Sequence, residues 1–143
     1  MKETVFNTIP LTRFACSIAD VSGVEKPEFA DETRVDEILD LVKSKTGKSV
    51  VDKLVIYNPD AIGCEFYKQY RDKIFAPLDA LSDLKIDFLA AFPPKTPICF
   101  ATMFTGAPPS VHGINKYEKP VLKIDTLFDA WARAGKKVAL VSK

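Results

Sequence analysis

The stretch "KIDFLAAFPPKTPICFATMF", residues 85–104, decides the fold class of this chain. Its first eight residues predict a buried strand, which Pro93 and Pro94 bring to an end. The run "ICFATMF" fits a strand or a helix by periodicity alone, but Pro97 directly after Thr96 suits the first turn of a helix, where a missing N–H group costs nothing. We therefore expect a strand followed by a helix, the basic unit of an α/β protein.

The same alternation continues on both sides of this stretch. The further predicted elements are a strand at "KLVIY" (53–57) before the loop "NPDAIG", a helix at 64–81 that Pro77 bends or ends, a helix at 121–135 closed by Gly135, and a strand at "KKVALVS" (136–142). Strands that alternate with helices predict an α/β fold, a mostly parallel sheet with helices on both faces.

The front of the chain carries a weaker pattern. Residues 1–30 mix short apolar pieces with proline and glycine and predict an extended arm and loops. From Asp31, apolar residues recur at spacings of three and four up to Val42, and Gly47 closes an amphipathic helix. We divide the chain into an arm with this helix, residues 1–52, and an α/β part, residues 53–143.

Composition narrows the class of protein. The 143 residues suit one domain, and 20 basic against 19 acidic residues leave no basic surface for a nucleic acid polymer. No run approaches the roughly 18 apolar residues of a membrane span, and no leader segment is recognisable, which predicts a cytoplasmic protein without a membrane partner. The three cysteines are far apart and are expected to be free thiols. The oligomeric state stays open.

Two polar residues follow the first two predicted strands of this part. Asp60 comes just after residues 53–57, and Thr96 comes after the strand that begins at Lys85. Ligands of parallel sheets gather beyond the carboxyl ends of the strands, and a helix N-terminus favours an anion such as phosphate. A threonine hydroxyl can act as a nucleophile when a base or a metal ion activates it, and Asp60 is a suitable oxygen ligand for that metal. The alternative is structural, because threonine and aspartate at such places are usually caps and turn formers.

The spacing of these residues resembles a known family. "NPDAIG" after an apolar strand, together with "KTPICFATMFTGAPPSVHGI", resembles the alkaline phosphatase superfamily and its nucleotide pyrophosphatase/phosphodiesterase branch. Thr96 stands nine residues before the T-G pair of Thr105 and Gly106, and the H-G-I triplet begins at His112. The resemblance implies a hydrolase that acts on a phosphate ester or nucleotide-like small molecule. Thr96 would be its nucleophile, and Asp60 and Thr96 would bind two divalent metal ions, commonly zinc, with manganese or magnesium as alternatives.

The chain departs from the family pattern at two points. Cys99 takes the place of an asparagine that helps to hold a phosphoryl oxygen, so it is the corresponding substrate-binding candidate although a thiol is a weak donor. His112 is the only histidine, and the family's further metal ligands lie downstream of this region. We therefore expect the N-terminal part of a longer enzyme, inactive by itself. The alternative is a non-catalytic phosphate-binding or structural module with the same fold. A mutase of the same superfamily ranks behind both.

Overall fold

The sheet consists of two parallel strands. In the computed structural model, which describes residues 4–141, strand β1 (Thr4–Pro10) pairs with strand β2 (Lys85–Leu89). Ile9 lies opposite Phe88, and the Leu11 N–H donates to the Leu89 carbonyl at 3.0 Å, so the ladder continues past the end of β1. Parallel neighbours need a crossover connection. Here that connection contains the whole chain between the two strands.

Seven helices accompany this sheet within the described residues. They are α1 (Arg13–Ser22), α2 (Asp36–Thr46), α3 (Cys64–Tyr70), α4 (Ala76–Leu81), α5 (Thr96–Thr105), α6 (Pro109–His112) and α7 (Leu127–Arg133). The predicted helices near 31–47 and 96–105 are confirmed, and Gly47 and Gly135 adopt the left-handed backbone that ends a helix. The helix predicted at 121–135 is confirmed only over α7, because residues 121–126 are not helical and Thr126 caps the helix start. The predicted helix at 64–81 is split into α3 and α4, and Pro77 lies in the first turn of α4.

The prediction of an extended arm and loops at the front of the chain was wrong. Beyond the first three residues, which lie outside the described part, this region forms β1 and α1. Helix α1 buries Ala15, Ile18, Ala19 and Ser22, which recur at helical spacings. Three of these four side chains are small or polar, so they do not form the run of large apolar residues, such as Ile38, Leu39 and Val42, by which α2 was predicted. The front of the chain therefore supplies one strand of the sheet and a central helix.

Two predicted strands are absent. Residues 53–57 and 136–141 form no strand with any described residue, and Ser142 lies outside the described part. The apolar and β-branched composition of a segment shows that it can form a strand. It forms one only when a neighbouring segment pairs with its backbone N–H and C=O groups. The fold is accordingly a mixed helix and strand structure around a two-stranded parallel sheet. No helix within residues 4–141 is long and apolar enough to cross a membrane.

Helix α1 organises the larger of two apolar clusters. It packs against α2, α5 and α7, and the cluster includes Ile18, Leu127 and Trp131. The indole Nε1–H of Trp131 donates to Ser22 Oγ at 2.8 Å, which joins the ends of α1 and α7. The smaller cluster contains Ile98 and Ala101 on α5, and through it the start of α5 is fixed to the protein. Both clusters therefore hold the helix that begins with Thr96.

Candidate active site

Thr96 and Asp60 form a hydrogen-bonded pair. The Thr96 hydroxyl donates to Asp60 Oδ1 at 2.9 Å, although 36 residues separate the two in the chain. Thr96 is half-buried at the first position of α5, and Asp60 is exposed. The predicted proximity of these two residues is confirmed, whereas their catalytic and metal-binding roles stay predictions. The route to this proximity was partly wrong, because the segment before Asp60 is not a strand.

A tight turn presents the Asp60 carboxylate. The N–H of Ala61 donates to the same Oδ1 atom at 2.8 Å, and Ala61 has φ of 59°, in the left-handed region. A non-glycine residue rarely adopts that backbone conformation outside a turn held by local hydrogen bonds. Oδ1 therefore accepts from both its own turn and the Thr96 hydroxyl. The second oxygen of the carboxylate points to no described hydrogen-bond donor.

The first turn of α5 offers few amides to an anion. Pro97 has no N–H group, and the N–H groups of Ile98 and Cys99 donate to the Lys95 carbonyl at 3.0 and 2.9 Å. Of the backbone N–H groups expected to bind an anion at this helix start, only that of Thr96 is therefore left for a ligand. The helix dipole still favours negative charge at this end. Half-buried Cys99 lies three residues after Thr96, one turn further along the helix. A bound phosphoryl group would have to rely on side chains more than on backbone amides.

The T-G pair, Thr105 and Gly106, ends helix α5 through side-chain hydrogen bonds and a left-handed glycine. The Thr105 hydroxyl donates to the Ala101 carbonyl at 2.7 Å and accepts the Ala107 N–H at 3.1 Å. Gly106 follows with φ of +70°, and its N–H donates to the Thr102 carbonyl at 2.8 Å. The hydroxyl satisfies groups on both sides of the helix end, and the glycine accepts the left-handed turn. This pair fixes the end of the helix that Thr96 begins.

His112 is buried and bonded through both ring nitrogens. Nδ1 accepts the Ile114 N–H at 3.1 Å, so the proton of the neutral ring sits on Nε2, which lies 3.0 Å from Thr102 Oγ1. Burial lowers the pKa of this imidazole. The ring therefore links α6 to α5 as a neutral group and has no nitrogen available for a metal. Sequence reasoning missed Thr102 as its partner, since no spacing rule joins the two.

The donor set for a metal is partial. Within residues 4–141, no group of three or more histidine, cysteine, aspartate or glutamate side chains could hold a metal ion. Asp60 and Thr96 together offer a carboxylate and a hydroxyl, which are oxygen donors that suit zinc, manganese or magnesium. A zinc ion takes roughly three or four protein ligands. These two residues therefore fit as part of a donor set and do not complete one.

A charged cluster forms around Asp79. Asp79 on α4 accepts from Lys85 on β2 at 2.6 Å, from Arg71 at 2.5 Å and from the Tyr67 hydroxyl of α3. The Lys85 ammonium, then the tyrosine and the guanidinium, hold the pKa of the Asp79 carboxyl well below its usual range. The cluster ties α3 and α4 to the start of β2, which no sequence pattern indicated. We assign it a structural role.

The site is thus a hydroxyl and a carboxylate in contact, at the start of a helix that two apolar clusters hold in place. Comparisons with protein-family models, with curated proteins and with solved structures find no match to this chain.

Proposed function

We propose that the chain carries the nucleophile of a metal-dependent phosphoric ester hydrolase of the phosphodiesterase/nucleotide pyrophosphatase or phosphatase type. The observation that carries the proposal is the hydrogen bond of 2.9 Å between Thr96 Oγ1 and Asp60 Oδ1. The spacing from Thr96 to the T-G pair and to H-G-I, which resembles the alkaline phosphatase superfamily, supports it. The substrate would be a phosphate ester or a nucleotide-like small molecule.

The proposed reaction begins at Thr96 Oγ1. This oxygen forms a bond to phosphorus, and the bond from phosphorus to the leaving oxygen breaks. Asp60 or solvent accepts the proton of the Thr96 hydroxyl. A water molecule then attacks the threonyl phosphoester, which releases phosphate or a phosphate monoester and restores the hydroxyl. Asp60 orients Oγ1 through the observed hydrogen bond, and the α5 dipole favours negative charge beside it.

When bound, two divalent ions would stabilise the alkoxide and the charge on the phosphoryl oxygens. These ions would be zinc, or else manganese or magnesium. Asp60 and Thr96 would each donate one oxygen to them, and the resemblance implies that the remaining ligands lie outside this chain. By the same resemblance, we propose that β1 and β2 belong to a larger, mostly parallel sheet with helices on both faces. The 143 residues alone would then lack turnover.

A non-catalytic phosphate-binding or structural module is the second candidate. The observation that favours it is the first turn of α5, where Pro97 lacks an N–H group and the amides of Ile98 and Cys99 are already engaged. Cys99 also stands where an amide side chain would hold a phosphoryl oxygen. Such a module would bind an anion weakly at Thr96 without breaking a bond.

The experiment uses the complete product of the gene that encodes these residues. Hydrolysis of p-nitrophenyl phosphate and bis(p-nitrophenyl) phosphate is measured with added zinc, manganese or magnesium, for wild type, Thr96→Ala, Thr96→Ser and Asp60→Asn. Thr96→Ala should lower turnover by at least about a thousandfold, whereas Thr96→Ser keeps a hydroxyl and retains measurable turnover. Ser49→Ala, at an exposed hydroxyl elsewhere, is the matched control and should leave the rate unchanged.

The intact mass of protein quenched during turnover gives a second readout. Wild type should carry one phosphoryl group on Thr96 with p-nitrophenyl phosphate, or one p-nitrophenyl phosphoryl group with bis(p-nitrophenyl) phosphate, and Thr96→Ala should carry none. Full turnover by Thr96→Ala would refute the nucleophile assignment. Absence of turnover in wild type, together with binding of inorganic phosphate that Thr96→Ala weakens, would support the module instead.

A further inference from the structure

Helices α3 and α4 lie outside the apolar core of the protein. In the described part of the chain, neither apolar cluster contains a residue of these two helices, and no residue of either helix is buried. Leu78 and Leu81, one turn apart on α4, are exposed, Leu81 to 81%. In folded proteins most of the stability of a helix comes from packing of its apolar face. Helices α3 and α4 therefore lack the support that α1, α5 and α7 receive from the clusters.

The two helices pack against each other through aromatic rings. The ring of Phe75, a buried residue between the helices, lies 5.9 Å from that of Phe66 and 5.2 Å from that of Tyr67, both on α3. The Tyr70 carbonyl at the end of α3 accepts the Ile74 N–H at 2.9 Å, just before α4 begins. We call residues 64–81 the α3–α4 unit. Its aromatic contacts lie within the unit, so it can keep its structure when its contacts to the sheet break.

An ion pair attaches this unit to strand β2. Of the groups that Asp79 binds, the Tyr67 hydroxyl and the Arg71 guanidinium belong to the unit itself. The Lys85 ammonium, 2.6 Å from Asp79, belongs to β2. A single ion pair near the surface is weaker support than an apolar core, and salt screens it.

The two faces of β2 are covered in different ways. Phe88 packs edge to face against Phe14 of α1, with ring centroids 6.1 Å apart. Lys85 and Asp87 point to the other face, because side chains alternate along a strand. On that face, burial and then the Asp87 carboxylate raise the pKa of the Cys64 thiol at the start of α3. Helix α1 is thus held to the sheet by apolar packing, and the α3–α4 unit by polar groups.

The chain on either side of the unit is held independently of it. Before the unit, Asp60 accepts from Thr96 at 2.9 Å, and the Asn58 amide lies 3.9 Å from the sulfur of Met103, so both residues contact α5. After the unit, β2 pairs with β1. Residues 61–63 and 82–84 join these fixed points to the unit.

We infer that the α3–α4 unit is a flap that opens from the sheet as one body and that the ion pair between Asp79 and Lys85 holds it closed. Opening changes the backbone at 61–63 and 82–84 and leaves Asp60 beside Thr96. It exposes the face of β2 that carries Lys85 and Asp87. The inference concerns how the unit is attached and stands whether or not Thr96 acts as a nucleophile.

Amide hydrogen exchange of the full chain, read by mass spectrometry, tests the flap. The helical amides of α3 and α4 should exchange at least about tenfold faster than those of α1. Asp79→Asn removes the charge that binds Lys85 and should speed exchange in both helices at least about threefold, with α1 and α5 unchanged. Sodium chloride at about 1 M, where the Debye length is about 3 Å, should shift the exchange of the unit in the same direction.

Asp125→Asn is the matched control. The Asp125 side chain is 13% exposed against 16% for Asp79, and each carboxylate binds an arginine at 2.5 Å. Asp125 stands just before α7, however, and that helix buries Leu127 and Trp131 in the larger apolar cluster. Asp125→Asn should therefore change exchange in α7 by less than about twofold.

Protection of the α1 amides shows that each variant is folded. If Asp79→Asn loses it, Lys85→Met breaks the same ion pair from the side of the strand. The inference is overturned if the unit exchanges as slowly as α1, or if the variants speed α4 without α3. It is also overturned if both variants speed α1 as much as the unit, because the unit would then open only when the whole protein unfolds. Salt that leaves the exchange of the unit unchanged would remove the ion pair as the contact that holds it.

Discussion

Replacement of Gly106 by alanine should destabilise the protein through two separable effects. Gly106 has φ of +70°, where an alanine is strained. A Cβ at this position would also lie 2.5 Å from Ala30 Cβ, 2.9 Å from Ala30 Cα and 3.0 Å from Ala15 Cβ. Ala30 Cα belongs to the backbone, so it cannot rotate away from the new methyl group. The chain at residue 30 or the end of α5 must therefore shift.

The magnitude follows from these two terms. The left-handed backbone costs an alanine about 1–2 kcal/mol, and an extra methyl group in a filled space costs about 1–3 kcal/mol. Gly106→Ala should therefore lower the free energy of unfolding by about 2–5 kcal/mol. Gly135→Ala is the matched control, because Gly135 has φ of +69° but a methyl group there would meet no described atom within 4 Å. Its cost should be about 1–2 kcal/mol, the backbone term alone.

Urea unfolding, monitored by the fluorescence of the single tryptophan, gives the free energy of unfolding of each variant from the midpoint and the slope of the transition. Ala30→Gly in the Gly106→Ala background removes the nearest methyl group and should recover part of the loss. Equal costs for Gly106→Ala and Gly135→Ala would refute the packing argument and leave only the backbone term.

Two further predictions concern buried polar contacts. Because burial lowers the pKa of His112, the unfolded chain binds a proton more readily than the folded one, so stability should fall as the pH drops below about 6.5, by at most roughly 1.4 kcal/mol per pH unit. Urea unfolding at pH 7.5, 6.5 and 5.5 measures this dependence of stability on pH. Since His112 is the only histidine, His112→Asn should remove most of the dependence. If the dependence persists in the variant, it belongs to other titratable groups. Ser22→Ala should cost about 1–3 kcal/mol, because it leaves the buried indole N–H of Trp131 without its acceptor. Ser22→Ala in a Trp131→Phe background should cost less, as judged by circular dichroism in urea, and equal costs in both backgrounds would show that the two side chains are not coupled.

The proximity of Thr96 and Asp60 shows how sequence reasoning can reach a correct result by a partly wrong route. The helix start at Thr96 followed from Pro97 and is confirmed, because a proline fits locally in a first turn. The strand expected before Asp60 did not form, and the contact arises from a turn whose Ala61 has a left-handed backbone. Sequence patterns report local preference well, whereas a hydrogen bond over 36 residues depends on the path of the whole chain.

By itself, the sequence determined the local features. These are the helix start at Pro97, the helix ends at Gly47 and Gly135, and the strand that begins at Lys85. These depend on the backbone freedom of single residues and on short-range periodicity, which neighbours in the chain already fix. Only the tertiary structure decided that β1 pairs with β2, that His112 bonds Thr102, and that residues 53–57 pair with no strand among residues 4–141. Each of these depends on which distant groups are near enough to form a hydrogen bond, and that is settled by how the helices and strands pack against one another.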